Sequence, residues 1–254
     1  MNVTFAEQPM PYGPLHIFFL ILAVILNIVI YRTVRDKSED ALLNILTYTG
    51  LAMMIAEVFK QIFCYVYYYN CQISFEHFPW QLCSMAMYLS FIVCFVKGKK
   101  QEAVLVYLST FSLFGAVMAL LFPGIMLAKE VFITVHSFLY HTLIIAEAVI
   151  AILILQKRKQ PQFKGALKLF GITAAIAEMI NILTKFMIND PAREADMFYI
   201  NPFYPSTQPI LSDLSLKYGN VTEVIIYLIG ICLISYLIFL AEAKLFYTNK
   251  NSII

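Results

Sequence analysis

The chain has 254 residues, of which 61% are hydrophobic and 13% charged, with a net charge of +2. A soluble domain carries about 25% charged residues, so this composition argues against one. The near balance of charge also lacks the basic footprint of a nucleic-acid binder.

Seven apolar blocks follow one another along the chain, at about 14–31, 41–69, 78–96, 103–122, 131–155, 165–188 and 221–243. Blocks near 20 residues match the thickness of a bilayer's hydrocarbon core. The reading is an all-α polytopic membrane protein, a single helical domain of seven transmembrane helices. The second and fifth blocks exceed a vertical span, and tilt absorbs the excess. The first 15 residues lack a basic n-region, so no cleavable signal peptide is expected.

The loops set the orientation. Loop 1 reads RTVRDKSED, loop 3 KGKK and loop 5 QKRKQPQFK, and the tail carries Lys244 and Lys250. With Lys168, these hold thirteen of the 18 basic residues. The opposite loops hold only Lys129, Arg193 and Lys217. The positive-inside rule then puts the N-terminus outside and the C-terminus in the cytoplasm. Tyr65, Tyr67, Tyr68, Tyr69, Phe78 and Trp80 form an aromatic belt at the outer interface, with Phe246 and Tyr247 at the inner one. The sequons at Asn2 and Asn220 fall on the outer side. The outer loop at 190–220 is long and rich in Pro and aromatics. It is expected to be an ordered cap on the membrane surface, since a long loop in a compact protein is often a lid or binding element.

Ionisable groups at membrane depth usually face a protein interior or a wet cavity. In the second block, Glu57, Lys60, Gln61 and Cys64 share one helical stripe. Glu57 and Lys60 can neutralise each other there or line a polar cavity. In the sixth block, Glu178, Asn181 and Lys185 form a similar stripe, with interhelical hydrogen bonding as the plain alternative. In the fifth block, Thr134, Ser137 and His141 share a face, while His136 and Glu147 share another. Counted at about 1.5 Å per residue, Cys83 lies about 6 Å and His141 about 15 Å below the outer edge. Of the five cysteines, Cys64 and Cys71 are close enough in sequence to pair if both face an oxidising side. No CxxC pair and no metal-ligand spacing occurs, and no cofactor or metal is expected.

Four stretches carry a resemblance. The run Phe78-Pro79-Trp80-Gln81-Leu82-Cys83-Ser84 resembles the LPLHLCD-type motif of YwaF-like integral membrane proteins. The stretch from Gly115 to Pro123 resembles that family's next helix end, and Phe138-Leu139-Tyr140-His141-Thr142-Leu143-Ile144 resembles its FFxSHGLI segment. Asn181 and the Tyr199-Ile200-Asn201-Pro202 loop resemble its Asn-rich sixth-helix exit. The resemblance covers roughly residues 15–245. Gln81 stands where many relatives have His, and Ser84 where many have Asp. The family includes a branch resembling acyltransferases that move polyunsaturated chains onto ether lysophospholipids. The resemblance implies a catalytic Cys83 and His141.

The resulting expectation is a cell-membrane lipid acyltransferase, or a thioester-forming lipid hydrolase, with its Cys–His pair in an outer-leaflet cavity. The thiolate attacks an ester and the imidazole takes the proton. Gln81, Glu178, Asn181, Lys185 and Asn201 are the expected substrate-binding residues, several of them as oxyanion donors. Glu57 and Lys60 belong to the polar cavity. Membrane lipids, with a lysophospholipid or acyl lipid as substrate, are the expected partners. The competing readings are a small-solute transporter or channel lined by Glu57, Lys60, Glu178 and Lys185, and a non-enzymatic membrane protein.

Overall fold

The computed structural model describes residues 3–158, 161–188, 190–205 and 211–247. Asn2 of the first sequon, Lys159, Lys250 and residues 206–210 of the expected cap lie outside the described residues.

Nine α-helices are present among the described residues. Helix α1 spans Pro14–Val34, with Pro14 in its first turn, where a missing N–H costs nothing. Helix α2 spans Glu39–Phe63 and is capped by Ser38, which accepts from the Ala41 N–H. Glu39 and Asp40 add negative charge at that positive helix end. A π-helical turn, Cys64–Tyr68, extends it. Helix α3 is short, Met85–Ile92. Helices α4, Lys99–Tyr107, and α5, Leu113–Leu121, form one rod joined by a π turn at Leu108–Ser112. Helices α6, Val131–Leu155, and α7, Phe163–Met187, have 25 residues each. Helix α8, Leu211–Tyr218, precedes α9, Asn220–Glu242.

Six helical rods are long and apolar enough to cross a membrane. The third apolar block differs from its expectation, because only Met85–Ile92 of it is α-helical. Pro79 lacks an N–H and disfavours helix in the residue before it. The chain reaches Ser84 through turns, with Trp80 N–H bonding to Phe78 O and Ser84 N–H to Gln81 O. Counting at the helical rise therefore does not give the depth of Cys83, since extended backbone covers up to about 3.5 Å per residue. Helix α3 is buried at the centre, with Met85, Ala86 and Met87 all in the core. It packs closely on α2 at Gly50, where a Cβ would stand 2.5 Å from Phe91 N and 2.7 Å from Met87 O.

The loops gather on two faces. On one, residues 3–5 pair with the loop before α6, through Phe5 N–H to Lys129 O and Val131 N–H to Val3 O. Tyr68 bonds Glu130 there, and Phe75 N–H bonds Arg193 O. On the other, Lys157 bonds Lys37 O, Arg158 bonds Glu39 and Gln101, and Gln162 N–H bonds Glu102. The short α3 segment joins the first face to the second.

Candidate functional site

The loop after α7 lies within the end of the bundle instead of on top of it. Ala195, Met197, Phe198 and Ile200 are buried in the core, and the Phe198 ring stacks near Phe170 of α7. Phe198 and Tyr199 adopt positive φ of 58° and 57° to make this inward turn. Three amides hold it. Asn181 donates to Met197 O at 3.1 Å and accepts from Met197 N–H at 2.7 Å. Gln81 donates to Asp196 O and accepts from Phe198 N–H, each at 2.8 Å. Asn201 donates to Ala195 O at 2.8 Å and accepts from Phe203 N–H at 2.9 Å. Each side chain pairs with buried backbone as a neighbouring strand would. The space in front of the Asn181 stripe is thus filled by the chain's own loop.

Lys185 is engaged at the rim of this plug. It bonds the Tyr204 hydroxyl and stands 3.6 Å from Glu194, while Tyr204 donates to Glu194 at 2.8 Å. Glu178 lies half-buried beside Asn181 and Asp196, and its Oε2 has no hydrogen-bond partner among the described residues. Burial pushes the Asp196 carboxyl up to about 6, although its Oδ1 accepts the Asn201 N–H.

Glu57 and Lys60 form the neutralising pair, 2.7 Å apart on α2. Gln61 donates to Glu57 at 2.7 Å and to His77 O at 2.5 Å, tying α2 to the turn before Cys83. His136 of α6 lies within electrostatic reach of both charges. His77 itself bonds Tyr69, and burial pushes its imidazole below the usual histidine range.

Cys83 sits deeper, half-buried in the last turn before α3. Its Sγ lies 3.4 Å from where a Cβ on Gly115 would stand, so the absent side chain leaves the thiol its room. His141 lies on α6, half-buried, with Nδ1 2.8 Å from Ser137 O. A carbonyl only accepts, so Nδ1 carries the hydrogen and Nε2 keeps the free lone pair. His16 fixes the register between α5 and α6. Its Nε2 is 2.8 Å from Leu120 O, and its ring lies 5.7 Å from that of Phe138. Counting about 1.5 Å per residue along these antiparallel helices, Gly115 and His141 fall within about 3 Å of one level.

Sequence reasoning passed over two tyrosines. Tyr107 of α4 and Tyr140 of α6 are buried, each within electrostatic reach of Cys83. Among the described residues the Tyr140 hydroxyl has no hydrogen-bond partner, whereas the Tyr107 hydroxyl faces the Thr173 side chain. The one available signal was a phenol in the middle of an otherwise apolar block. All five cysteines are free, including Cys64, which is buried, and Cys71, which is exposed. Among the described residues no group of three or more His, Cys, Asp or Glu could hold a metal ion.

Six rods long and apolar enough to span, with a short helix packed on α2, α6 and the α4–α5 rod, define a multi-pass α-helical membrane protein. A family model matches residues 11–241, and the chain belongs to the TMEM164 family. No curated protein and no solved structure shows a match to it.

Proposed function

We propose that the chain transfers acyl groups between membrane lipids through a thioester on Cys83, with His141 as the base. The reading is carried by the space that Gly115 leaves beside the Cys83 sulfur, at about the level of a histidine held in one tautomer. Gly115 leaves space beside the sulfur, and Ser137 O fixes Nδ1–H so that Nε2 is the basic atom.

The chemistry balances with these two groups. His141 Nε2 takes the thiol proton, and the thiolate attacks the ester carbonyl of a phospholipid. The tetrahedral intermediate expels the lysolipid alkoxide, which leaves with the proton from His141. An acceptor lysolipid hydroxyl then gives its proton to His141 and attacks the thioester. The new ester forms, and the thiolate recovers the proton. Gln81, Asn181 and Asn201 support this centre by holding the plug above it, since their amides are already engaged with backbone.

The topology that suits this reading has seven crossings, with α3 and its flanking turns as the third. The N-terminus is then outside and the C-terminus cytoplasmic in a cell membrane. Grouping of the basic loops on one face supports that orientation. The resemblance to YwaF-like proteins and their ether-lipid acyltransferase branch points to lysophospholipid acceptors.

The test is reconstitution of the full chain in phospholipid vesicles with a labelled lysophospholipid. Wild type is expected to acylate the label, and Cys83→Ser and His141→Ala are each expected to lower the rate at least 100-fold. Retention of full transfer by both variants would end the proposal.

A further inference from the structure

A carboxylate buried at membrane depth is costly and usually pairs with a cation or marks an ion site. Glu242 is such a group. It ends α9 with 5% exposure, and none of the ion pairs among the described residues involves it. It lies at the level of Ser109, about 15 Å along the α4–α5 rod from Lys99. Neither the plug nor the Cys83 centre uses it.

Two π turns meet at this carboxylate. Ser109 belongs to the turn Leu108–Ser112, and its hydroxyl donates to Glu242 Oε2 at 3.0 Å. Tyr247 belongs to a second π turn, Ala243–Tyr247, and donates to the same oxygen at 3.0 Å. Such turns are rare and frequently found at functional sites. The first is tied by its own hydroxyls, since Ser109 and Thr110 both bond Val106 O. The Phe239 ring packs alongside, 6.5 Å from that of Tyr247 and 5.5 Å from that of Phe163.

Glu242 Oε1, in contrast, is buried and has no hydrogen-bond partner among the described residues. Protonation does not repair this. With Oε2 accepting from two hydroxyls, the proton falls on Oε1, which then lacks an acceptor. Ser112 of the same π turn and Ser235, two turns before Glu242 on its face of α9, are also fully buried. Their hydroxyls have no partner among the described residues either.

We infer that Glu242, Ser109 and Tyr247 hold a sodium ion that ties the end of α9 to the α4–α5 rod. Oε1 supplies the negative ligand, and the two hydroxyl oxygens keep lone pairs beside it. Ligands that are all oxygen suit a hard cation. One carboxylate carries one charge, so a monovalent ion leaves the site neutral, whereas a divalent ion would bury an uncompensated charge. The hydroxyls crowd the carboxylate at 3.0 Å, which suits a small ion. The site stands apart from the acyl-transfer reading and does not depend on it.

The test is thermal unfolding of the full chain in detergent, in sodium chloride and in choline chloride at an equal ionic strength of about 0.15 M. Wild type is expected to melt about 2–4 °C higher in sodium, with a gain that saturates as sodium is raised. Glu242→Gln keeps the shape and an oxygen to accept both hydroxyls, and it should melt at one temperature in the two salts. Ser109→Ala and Tyr247→Phe should each shrink the difference. Identical melting of wild type in both salts overturns the inference. So does a sodium gain that survives in Glu242→Gln, because the ion then binds elsewhere. Retention of radiolabelled sodium by the wild-type chain gives a second reading that needs no variant. Label displaced by unlabelled sodium but not by choline supports the site, and a chain that retains none overturns it.

Discussion

Around the plug, Gln81, Asn181 and Asn201 use both ends of their amides on backbone groups of the 195–203 turn. On α6, the buried hydroxyl of Tyr140 has no hydrogen-bond partner among the described residues. Both regions are buried and both put polar atoms inside a membrane protein. The difference separates amides that build the structure from a hydroxyl that the fold leaves unpaired. A satisfied buried amide fixes one conformation, whereas an unsatisfied buried hydroxyl is a cost that folding alone does not explain.

The largest effect is expected at Asn181. Replacing it by Leu keeps the volume but strips Met197 N–H and O of their partners in a site with no exposure. Two lost hydrogen bonds and two buried orphan groups are worth roughly 3–5 kcal/mol. Thermal unfolding in detergent should move down accordingly, and hydrogen exchange of residues 195–203 should rise first. Equal protection of that turn in variant and wild type would mean that Asn181 does not hold the plug.

A smaller effect of opposite sign is expected at Asp196. Its carboxyl is pushed up to about 6 by burial, against an ordinary value near 3.8. The folded state then binds more protons than the unfolded state between those two values. Stability therefore falls as pH rises through that window and stays lowered above it. Asp196→Asn keeps an oxygen to accept the Asn201 N–H and removes the ionisation. The variant should be more stable by about 1–2 kcal/mol at pH 7, with the gain vanishing below about pH 4. Melting curves at both pH values measure this, and a gain of equal size at pH 4 would exclude ionisation as the cause.

Much of the scaffold was legible in the sequence, because hydropathy reports length. The apolar block at 131–155 coincides with Val131–Leu155, and those at 165–188 and 221–243 lie within two residues of α7 and α9. The block at 78–96 misled because hydropathy does not register a broken backbone, and here only Met85–Ile92 is helical. The Glu57–Lys60 pair was legible, since i,i+3 charges on a helix meet by geometry. The plug was not. Met197, Phe198 and Ile200 sit in a loop, where apolar residues read equally well as surface contacts with lipid. Which amide served backbone and which served a substrate depended on that insertion, so Gln81 and Asn181 could not be assigned from spacing. Tyr140 stayed hidden for a related reason, because a tyrosine in an apolar block is ordinary until its hydroxyl is found without a partner among the described residues.

The smallest change in stability should accompany the sharpest change in function, at Gly115. A methyl group there would meet Cys83 Sγ at 3.4 Å and Leu82 at 3.4 Å, which is ordinary van der Waals contact. Within α5, Ala is favoured over Gly by up to about 1 kcal/mol, so Gly115→Ala should melt at or slightly above the wild-type temperature. The same methyl occupies the open side of the thiol, where an ester carbonyl must approach for the attack proposed above. Transfer to a labelled lysophospholipid should drop at least tenfold in a protein that is no less stable. Wild-type transfer rates in Gly115→Ala would mean that the ester reaches Cys83 from another side. A drop in melting temperature together with the drop in rate would instead place Gly115 with Asn181, among the residues that build the structure.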